Sequence, residues 1–264
     1  MIRLIFTMMI SAWGTFAVAD SMRLAVTTSF DNSGLADVLL PQIKADIGLD
    51  VQLLVVGTGQ ALRLGAAGDV DAVLVHSRAA EDAFIADGHG THRTEIMYND
   101  FVIIGTQSDP ANVRSTASAA AALSAIAQSQ AVFVSRGDDS GTHKAEIALW
   151  DDVAFGPWYR AVGAGMGATL NIASAMNAYT LSDRASWLNF ANKGDLQILF
   201  SGDPKLFNQY SLIPVNPANG SGINHKQALA LEGWFLGKTA QQMINTYKIM
   251  DQPLFVYNDN SSTQ

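Results

Sequence analysis

The sequence lacks cysteine altogether among its 264 residues. This excludes a disulfide framework, a thiol nucleophile and a thiolate metal cluster, and it leaves no cysteine to carry a lipid anchor. Basic residues are also scarce, with 16 Lys and Arg against 24 Asp and Glu and a formal net charge of -8. Unspecialised nucleic-acid binding requires a basic face, so we expect no nucleic-acid partner. Charged residues make up only 15%, which is too few for a disordered or coiled-coil chain.

Long apolar runs are absent too, except for a short one at the N-terminus. Residues 1–19 combine one positive charge, Arg3, with an apolar run from Leu4 to Phe16 and a small-residue cleavage site that ends at Ala19. This pattern predicts a secretory signal peptide cleaved after Ala19. A membrane anchor is the alternative, but the run is shorter than the ~20 residues that a span needs. We therefore expect an exported, periplasmic protein, whose net charge becomes -9 when Arg3 is removed from the total of -8.

Apolar strands alternate with helical patterns along the rest of the chain. The predicted strands include Met22–Val26, Val51–Val56, Ala72–His76, Phe101–Gly105 and Ala131–Ser135. Such alternation predicts an α/β fold with parallel, doubly wound sheets. Ligands of these folds bind at the carboxyl ends of the strands.

Three loops that leave a strand and enter a helix share one chemistry. They are Thr27-Thr28-Ser29, Gly57-Thr58-Gly59 and Ser135–Thr142, and each combines hydroxyl residues with a glycine in or near the loop. Helix N-termini attract anions, and hydroxyls add hydrogen-bond donors without adding charge. Arg136 is the one fixed positive charge in the three loops. Ser and Thr also cap helices without any ligand, but three loops at equivalent places favour an oxyanion pocket, with the ion left open.

The third loop lacks the acidic or amide residue of a capping box. His143 follows Ser140 by three residues, and Ala145 follows Thr142 by three. A capping box would place Glu or Gln there to bind back to the helix start. We expect that no side chain of this register occupies the first N–H donors of the helix, so that a ligand can do so.

At these residues the sequence resembles the tungstate-binding periplasmic proteins of ABC importers. Their T-T-T-S signature reads Val26-Thr27-Thr28-Ser29 here, and their S-R-G-D-x-S-G-T-H signature is matched in full from Ser135 to His143. The similarity extends over Val56–Leu62, Met97–Phe101 and Gly165–Asn171, and thus over nearly the whole mature chain. Val26 departs from the pattern, and we expect its side chain to end the strand in the core.

The resemblance implies a two-lobed periplasmic binding protein of type II, with the ligand in the cleft between the lobes. It predicts lobe 1 from residues 20–104 and 213–264 and lobe 2 from residues 105–212, with crossovers near Gly105 and Leu212. It implies no enzyme activity and no cofactor, tungstate as the ligand, an ABC importer permease as the partner, and a monomer.

The same resemblance assigns the ligand-binding residues. Phosphate-binding relatives carry a similar R-x-x-x-S-G-T segment, which assigns the anion to the residues of the third loop that match it. The first two loops would contribute from the other lobe. The predicted set is Thr28, Ser29, Thr58, Arg136, Ser140, Gly141 and Thr142.

Tungstate is a dianion without a proton at neutral pH, so its pocket should offer donors only. We expect Asp138 to orient Arg136 from outside the pocket; the alternative is that Asp138 and Asp139 form a solvated acidic turn. Tungstate and molybdate have nearly the same size and shape, and only the resemblance favours tungstate. Receptors for molybdate, sulfate or phosphate with the same fold remain the nearest alternatives.

Other readings of the sequence belong to different classes. Ser140 and His143 could serve a secreted hydrolase, although no G-x-S-x-G elbow surrounds the serine. His89 and His92 could share a metal, but we expect surface positions, since no further ligand is evident nearby. Several aromatic residues could line a site for an organic ligand, and core packing is the interpretation we favour for them. These are Trp150, Trp158, Tyr159, Trp187 and Trp234.

Overall fold

Strands and helices alternate along the chain, as predicted. The structure is a computed structural model and describes residues 20–150 and 153–259, so that the predicted signal peptide, residues 1–19, lies outside the described residues. The strands are β1 (Ser21–Thr27), β2 (Asp50–Val56), β3 (Ala72–Val75), β4 (Thr94–Thr106), β5 (Phe133–Ser135), β6 (Tyr159–Ala161), β7 (Thr180–Asp183), β8 (Leu196–Phe200), β9 (Phe207–Pro214), β10 (Lys248–Ile249), β11 (Gln252–Pro253) and β12 (Val256–Tyr257). The helices are α1 (Thr28–Asn32), α2 (Leu35–Ile47), α3 (Thr58–Ala67), α4 (Arg78–Ala86), α5 (Ala119–Ser129), α6 (Gly141–Leu149), α7 (Met166–Met176), α8 (Arg184–Asn189), α9 (His225–Phe235) and α10 (Lys238–Thr246).

The main sheet has the strand order β2-β1-β3-β9-β4-β12. Strands β1, β2 and β3 are parallel, while β9 is antiparallel to both β3 and β4, and β12 is antiparallel to β4. The sheet is therefore mixed, and the prediction of parallel sheets is correct only for its first half. The antiparallel strands arise because the chain leaves this half of the molecule along β4 and returns along β9, which runs in the opposite direction.

Strand β4 is thirteen residues long and belongs to both halves of the molecule. Its first part, Thr94–Asp100, pairs with β9, whereas its second part, from Phe101, pairs with β7 and β8. Strands β5 and β6 pair in parallel, and a bridge from Phe133 to Tyr179 links β5 to the chain just before β7. The two sets of pairings define two lobes joined by β4 and by the segment between β8 and β9.

The positions of the lobe boundaries stay a prediction. The exchange of strand partners falls between Asp100 and Phe101, a few residues before the predicted crossover at Gly105. The whole of β9, from Phe207, pairs with strands of lobe 1, although residues 207–212 were predicted to lie in lobe 2. These pairings favour a second crossover between residues 200 and 207.

Both lobes are built around apolar cores. Val26 is fully buried in the core, as predicted for the position that departs from the family signature. The Ala-rich segment forms α5, which buries Ala122, Leu123 and Ile126. Within the described residues, no helix has the length and apolar character needed to span a membrane.

The parallel pairing of β1 with its two neighbours determines where the site lies. Thr27, the last residue of β1, is in register with Val56, the last residue of β2, and Val26 is in register with Leu74 of β3. The three strands therefore end at one edge of the sheet, and the loops that follow them meet there.

Candidate anion-binding site

The loop after β1 supplies Thr28 and Ser29. The hydroxyl of Thr27 caps α1 by accepting the N–H of Phe30 at 3.4 Å. Thr28 lines a cavity of about 520 Å³ that opens between the lobes. The Ser29 hydroxyl is instead buried, with Oγ 3.0 Å from each of Thr27 Oγ1, His76 Nε2 and Tyr210 Oη. Ser29 is thus part of a buried polar network beneath the site.

The loop after β2 leads into the open N-terminus of α3. Gly57 is the N-cap residue, and it offers no side chain to the first N–H groups of the helix. Gly57 and Gly59 both line the cavity. Thr58, between them, is 1% exposed, and its Oγ1 has no hydrogen-bond partner in the described part of the chain. A buried hydroxyl without a partner carries a desolvation cost, which a bound ligand can remove.

The loop after β5 is held in an unusual backbone conformation. Gly137 has a φ of 59°, and a Cβ there would lie 2.8 Å from Cβ of Ala161, so only glycine fits. Asp139 also has a positive φ, of 58°, which Asp tolerates better than most residues. Ser135 donates its hydroxyl to Glu146 Oε2 at 2.7 Å, which ties the start of the loop to α6. These features fix the loop before any ligand binds.

Arg136 is only 5% exposed and lines the cavity. Its Nε and Nη2 donate to Oδ2 of Asp138 at 3.1 and 2.5 Å, so the predicted contact between the two side chains is present. Asp138 nevertheless lines the cavity, as do Asp31 and Asp139, so the expectations that it acts from outside the pocket and that the pocket offers donors only are wrong. Although partial burial opposes the shift, hydrogen bonds from Ser140 and Arg136 lower the pKa of Asp138. The alternative, a solvated acidic turn, applies to Asp139. Its side chain is 78% exposed, and its Oδ1 lies 3.6 Å from Nζ of Lys144.

Helix α6 begins at the second half of this loop. Ser140 Oγ accepts the N–H of His143 at 3.3 Å, so the expectation that no side chain occupies a first-turn donor is wrong for this amide. The N–H groups of Gly141 and Thr142 also lie in the first turn, where amides have no partner within the helix. The hydroxyl of Thr142 is buried and, among the described residues, has no hydrogen-bond partner.

A further helix start borders the cavity and was missed in the sequence. Gly165 is the N-cap of α7 and provides no side-chain cap, and Gly165, Met166, Gly167 and Ala168 all line the cavity. The Gly-x-Gly pattern at a helix start was the available signal. It was overlooked as a site because this segment does not directly follow an apolar strand.

The predicted residues fall into two groups. Thr28, Arg136 and Ser140 line the cavity itself. The other four do not line it: Ser29, Thr58 and Thr142 are buried next to lining residues, and Gly141 lines a neighbouring cavity of about 590 Å³. The strand ends of lobe 1 and the helix starts of lobe 2 thus bring all seven to one region.

Several polar residues near this region were not predicted. Asp31, Asn32, Gln60 and Arg63 line the cavity, and a neighbouring cavity of about 590 Å³ is lined by His76. His76 follows β3 at the same sheet edge, and it packs so closely on Gly141 that a Cβ there would lie 2.6 Å from its Cε1. Burial, and secondarily the nearby Arg136, lowers the pKa of His76 to about 4, so the ring is neutral at neutral pH. Its position after an apolar strand was a signal, but its loop contains no glycine.

Arg63 is the unpredicted basic residue of the cavity between the lobes, and it lies in α3. Its Nε and Nη2 donate to Gln60 Oε1 at 3.1 and 2.8 Å. It lies one turn inside the helix, where loop patterns give no indication of a role.

The hydrolase reading does not fit the geometry. Ring Nδ1 of His143 accepts the N–H of Asp139 at 3.1 Å, while Ser140 Oγ accepts the backbone N–H of His143. Neither contact is the Oγ–H to ring nitrogen bond that a nucleophilic serine requires.

The metal and aromatic readings are not supported either. His92 Nε2 lies 2.7 Å from Oε1 of Glu232, and the described residues contain no group of three or more metal-ligating side chains. Trp158, Trp187 and Trp234 are buried, and Trp150 and Tyr159 pack against the core of lobe 2, as predicted. In the part of the chain that the structure describes, no aromatic residue lines the cavity between the lobes.

The fold defines a two-lobed binding protein with a polar cavity between its lobes. Comparisons with known proteins agree, since residues 15–238 match the PBP superfamily domain. The tungstate-binding protein TupA of Peptoclostridium acidaminophilum is 44% identical over 245 residues, which cover 90% of this chain and 86% of the relative. TupA of Campylobacter jejuni is 36% identical over 236 residues, covering 86% and 87% of the two chains.

A solved structure gives the same result. The tungstate-binding protein TupA from Desulfovibrio alaskensis G20 superimposes with a TM-score of 0.81 at 44% identity, covering 91% of this chain and 99% of that one. The chain belongs to the PBP superfamily and, within it, to the family of TupA tungstate-binding proteins. It is accordingly a binding protein and not an enzyme.

Proposed function

We propose that this protein binds tungstate in the cleft between its lobes and delivers it to the membrane permease of an ABC importer. The observation that carries the proposal is the pair of buried, unpartnered hydroxyls of Thr58 and Thr142, one from each lobe, beside Arg136. Membership of the TupA family supports tungstate as the ion.

The charges that line the cavity are mixed, with Asp31, Asp138 and Asp139 against Arg63 and Arg136, so a dianion has to be bound through short contacts. Arg136 brings a buried positive charge, and Asp138, which fixes the orientation of its guanidinium group, also lines the cavity. The net charge of -9 after signal cleavage opposes long-range attraction of an anion. Affinity must therefore come from donors that are already in place when the ion arrives.

Uncharged donors supply the remaining contacts in this proposal. Helices α3, α6 and α7 present first-turn N–H groups and the positive ends of their dipoles. The predicted hydroxyls and amides, from Thr28 and Thr58 to Gly141 and Thr142, would donate to the oxygens of the ion. Each hydrogen bond to a charged partner contributes roughly 1.5–3 kcal/mol, so about six to eight can support nanomolar binding after the cost of association.

Delivery depends on the lobes closing around the ion. Closure about β4 and the β8–β9 connection would bring the two sets of donors together and form the surface that the permease recognises. We propose that the protein acts in the periplasm as a monomer, after cleavage of residues 1–19, and that it needs no cofactor.

Calorimetric titration of the chain from residue 20, stripped of ligand, tests this proposal. We expect tight binding of tungstate and far weaker binding of sulfate and phosphate, because both ions are smaller than tungstate and phosphate also keeps a proton at neutral pH. The ratio of the tungstate and molybdate affinities decides between these two ions. Absence of heat with all four oxyanions, from protein whose folding is verified by circular dichroism, overturns the proposal.

A further inference from the structure

Glu146 is a buried acid in the interior of lobe 2, and it belongs to α6. The residue is 1% exposed, and its carboxylate accepts three hydrogen bonds. Ser135 Oγ donates to Oε2 at 2.7 Å, while Tyr159 Oη and Trp150 Nε1 donate to Oε1 at 2.8 and 3.1 Å. Burying a carboxylate is costly unless its oxygens are hydrogen-bonded, so the three donors and the acid form one unit.

Ser135 connects Glu146 to the loop that carries Arg136. Ser135 is the last residue of β5 and is fully buried, and Arg136 follows it directly. Since Glu146 lies in α6, its bond to Ser135 joins the strand before the loop to the helix after it. Arg136 and Ser140, which line the cavity between the lobes, lie between these two ends. The contact therefore fixes the span of the loop that presents them.

Tyr159 connects Glu146 to the second helix start in the cavity wall. Tyr159 is the first residue of β6, which pairs in parallel with β5. Beyond β6, the N–H of Ala164 donates to the carbonyl oxygen of Arg136 at 3.1 Å. The chain then enters α7 after Gly165, which lines the cavity. The Arg136 loop and the start of α7 are thus held side by side, and both are tied to one carboxylate.

We propose that Glu146 is the positioning residue of lobe 2, whose carboxylate holds the Arg136 loop and the start of α7 in the arrangement that binds the anion. Glu146 does not itself line the cavity, so it acts through Ser135 and Tyr159. The assignment rests on the proposed function, since the ion binds to the groups that Glu146 positions. Donors that are fixed before binding lose little freedom when the ion arrives, so loosening them weakens affinity without removing a contact.

The proposed role depends on the hydrogen-bonding shape of the carboxyl group and not on its charge. Burial raises the pKa of Glu146, although the bonds from Ser135, Trp150 and Tyr159 oppose the shift. In Glu146→Gln, the amide oxygen can accept from Trp150 and Tyr159, while the amide nitrogen donates to Ser135 Oγ, because a hydroxyl can also accept. Glu146→Leu removes all three contacts. The two variants therefore separate the geometry of the group from its charge.

Calorimetric titration with tungstate compares these variants. We expect E146L to bind tungstate about tenfold more weakly than wild type, or worse, and E146Q to stay within about threefold. Equal losses in E146Q and E146L, in variants that remain folded by circular dichroism, overturn the inference.

Ser135→Ala is the milder variant, and it keeps the test available if E146L does not fold. It removes only the contact to the loop and should weaken tungstate binding by about fivefold. Thr180→Val is the matched control, because Thr180 is equally buried and donates to the carbonyl of Val134, the neighbour of Ser135, at 2.8 Å. It should retain the wild-type affinity. Equal affinities of wild type and Ser135→Ala also overturn the inference.

A double-mutant cycle distinguishes positioning from a general loss of stability. If Glu146 acts through the Arg136 loop, Ser135→Ala should weaken binding by no more than about twofold when Arg136→Ala is already present. A merely structural role predicts the same loss of about fivefold in both backgrounds, and that result contradicts the assignment. If wild-type protein binds no oxyanion, the proposed function itself fails; if it binds tungstate and the Ser135 and Glu146 tests fail, only this inference does.

Discussion

The two lobes contribute to the site in different ways. Lobe 1 contributes hydroxyl groups at the ends of parallel strands, namely those of Thr28 and Thr58, and its charged cavity residues, Asp31 and Arg63, lie on the helices that follow. Lobe 2 brings the buried charge of Arg136 together with the starts of α6 and α7. Under the proposed function, lobe 1 would supply mainly hydroxyl donors and lobe 2 the buried countercharge.

Removing the charge of lobe 2 should have the largest effect. Arg136→Ala leaves the dianion without a countercharge in a closed cleft, and we expect tungstate binding to weaken by at least about 2 kcal/mol. Calorimetry measures the loss, with Arg160→Ala as the control because Arg160 is an exposed residue of the same lobe. Unchanged tungstate affinity in the Arg136 variant removes the basis for assigning the charge to lobe 2.

The uncharged state of the His76 ring in lobe 1 can be tested through the stability of the ligand-free protein. The pKa of His76 is about 4 in the folded protein against 6.5 for the free side chain, so the unfolded chain takes up the proton first as the pH falls. Stability therefore decreases from about pH 6.5 towards pH 4, by about 2.5 kcal/mol at pH 4.5 for this residue. The measurement is the change in unfolding free energy between pH 7 and 4.5, from urea titrations of wild type and His76→Asn.

The titration of groups common to wild type and His76→Asn, such as the buried Asp183 with its raised pKa, contributes equally to both proteins. It therefore cancels when the pH dependence of one protein is subtracted from that of the other. His89→Asn serves as the control and should retain the wild-type dependence on pH. Identical pH dependence in wild type and His76→Asn contradicts a neutral ring in the folded protein.

One hydroxyl from each lobe provides a matched pair. Thr58→Val and Thr142→Val should each weaken tungstate binding by about tenfold, because each removes one donor to the ion. Neither change should lower the free energy of unfolding, since these hydroxyls have no partner within the described chain.

Thr180→Val is the control for that pair, because Thr180 is equally buried but donates to the carbonyl of Val134 at 2.8 Å. It should lower stability by about 1 kcal/mol and leave the affinity unchanged. If tungstate affinity falls in only one of Thr58→Val and Thr142→Val, only one lobe contacts the ion.

The smallest effect is expected at the rim of lobe 1. Arg63 lines the cavity but lies inside α3, so Arg63→Gln should slow tungstate association about threefold and reduce its dependence on salt, with little change in dissociation. Stopped-flow tryptophan fluorescence measures both rates. Lys44→Gln makes the same charge change in lobe 1 away from the cavity, and an equal effect there would show that only net charge matters.

Local patterns in the sequence predicted the parts of the site that depend on neighbours in the chain. The hydroxyl and glycine residues after β1, β2 and β5, and the contact between Arg136 and Asp138, follow from short segments whose geometry is set by the strand before them and the helix after them. Val26 in the core follows from the alternation of a strand.

The sequence did not predict the features of the site and fold that depend on contacts between residues distant in the chain. His76 gains its position from Ser29, Tyr210 and Gly141, which lie 47, 134 and 65 residues away by their numbers. The antiparallel course of β9 likewise depends on pairing with β3 and β4, and no local pattern encodes it. The periodicity of the sequence predicts the strands and the loops that follow them, whereas the position of the crossover between the lobes depends on tertiary packing.

Crystallography at the tungsten absorption edge tests the central claim most directly, which is that both lobes bind one ion. Crystals grown with tungstate should show a single strong anomalous peak between Thr58 of lobe 1 and Arg136 and Thr142 of lobe 2. A peak that lies within the neighbouring cavity of about 590 Å³, which His76, Arg78, Gly141 and Lys144 line, and that contacts neither Thr58 nor Arg136, would contradict the account. So would a peak that contacts residues of one lobe only.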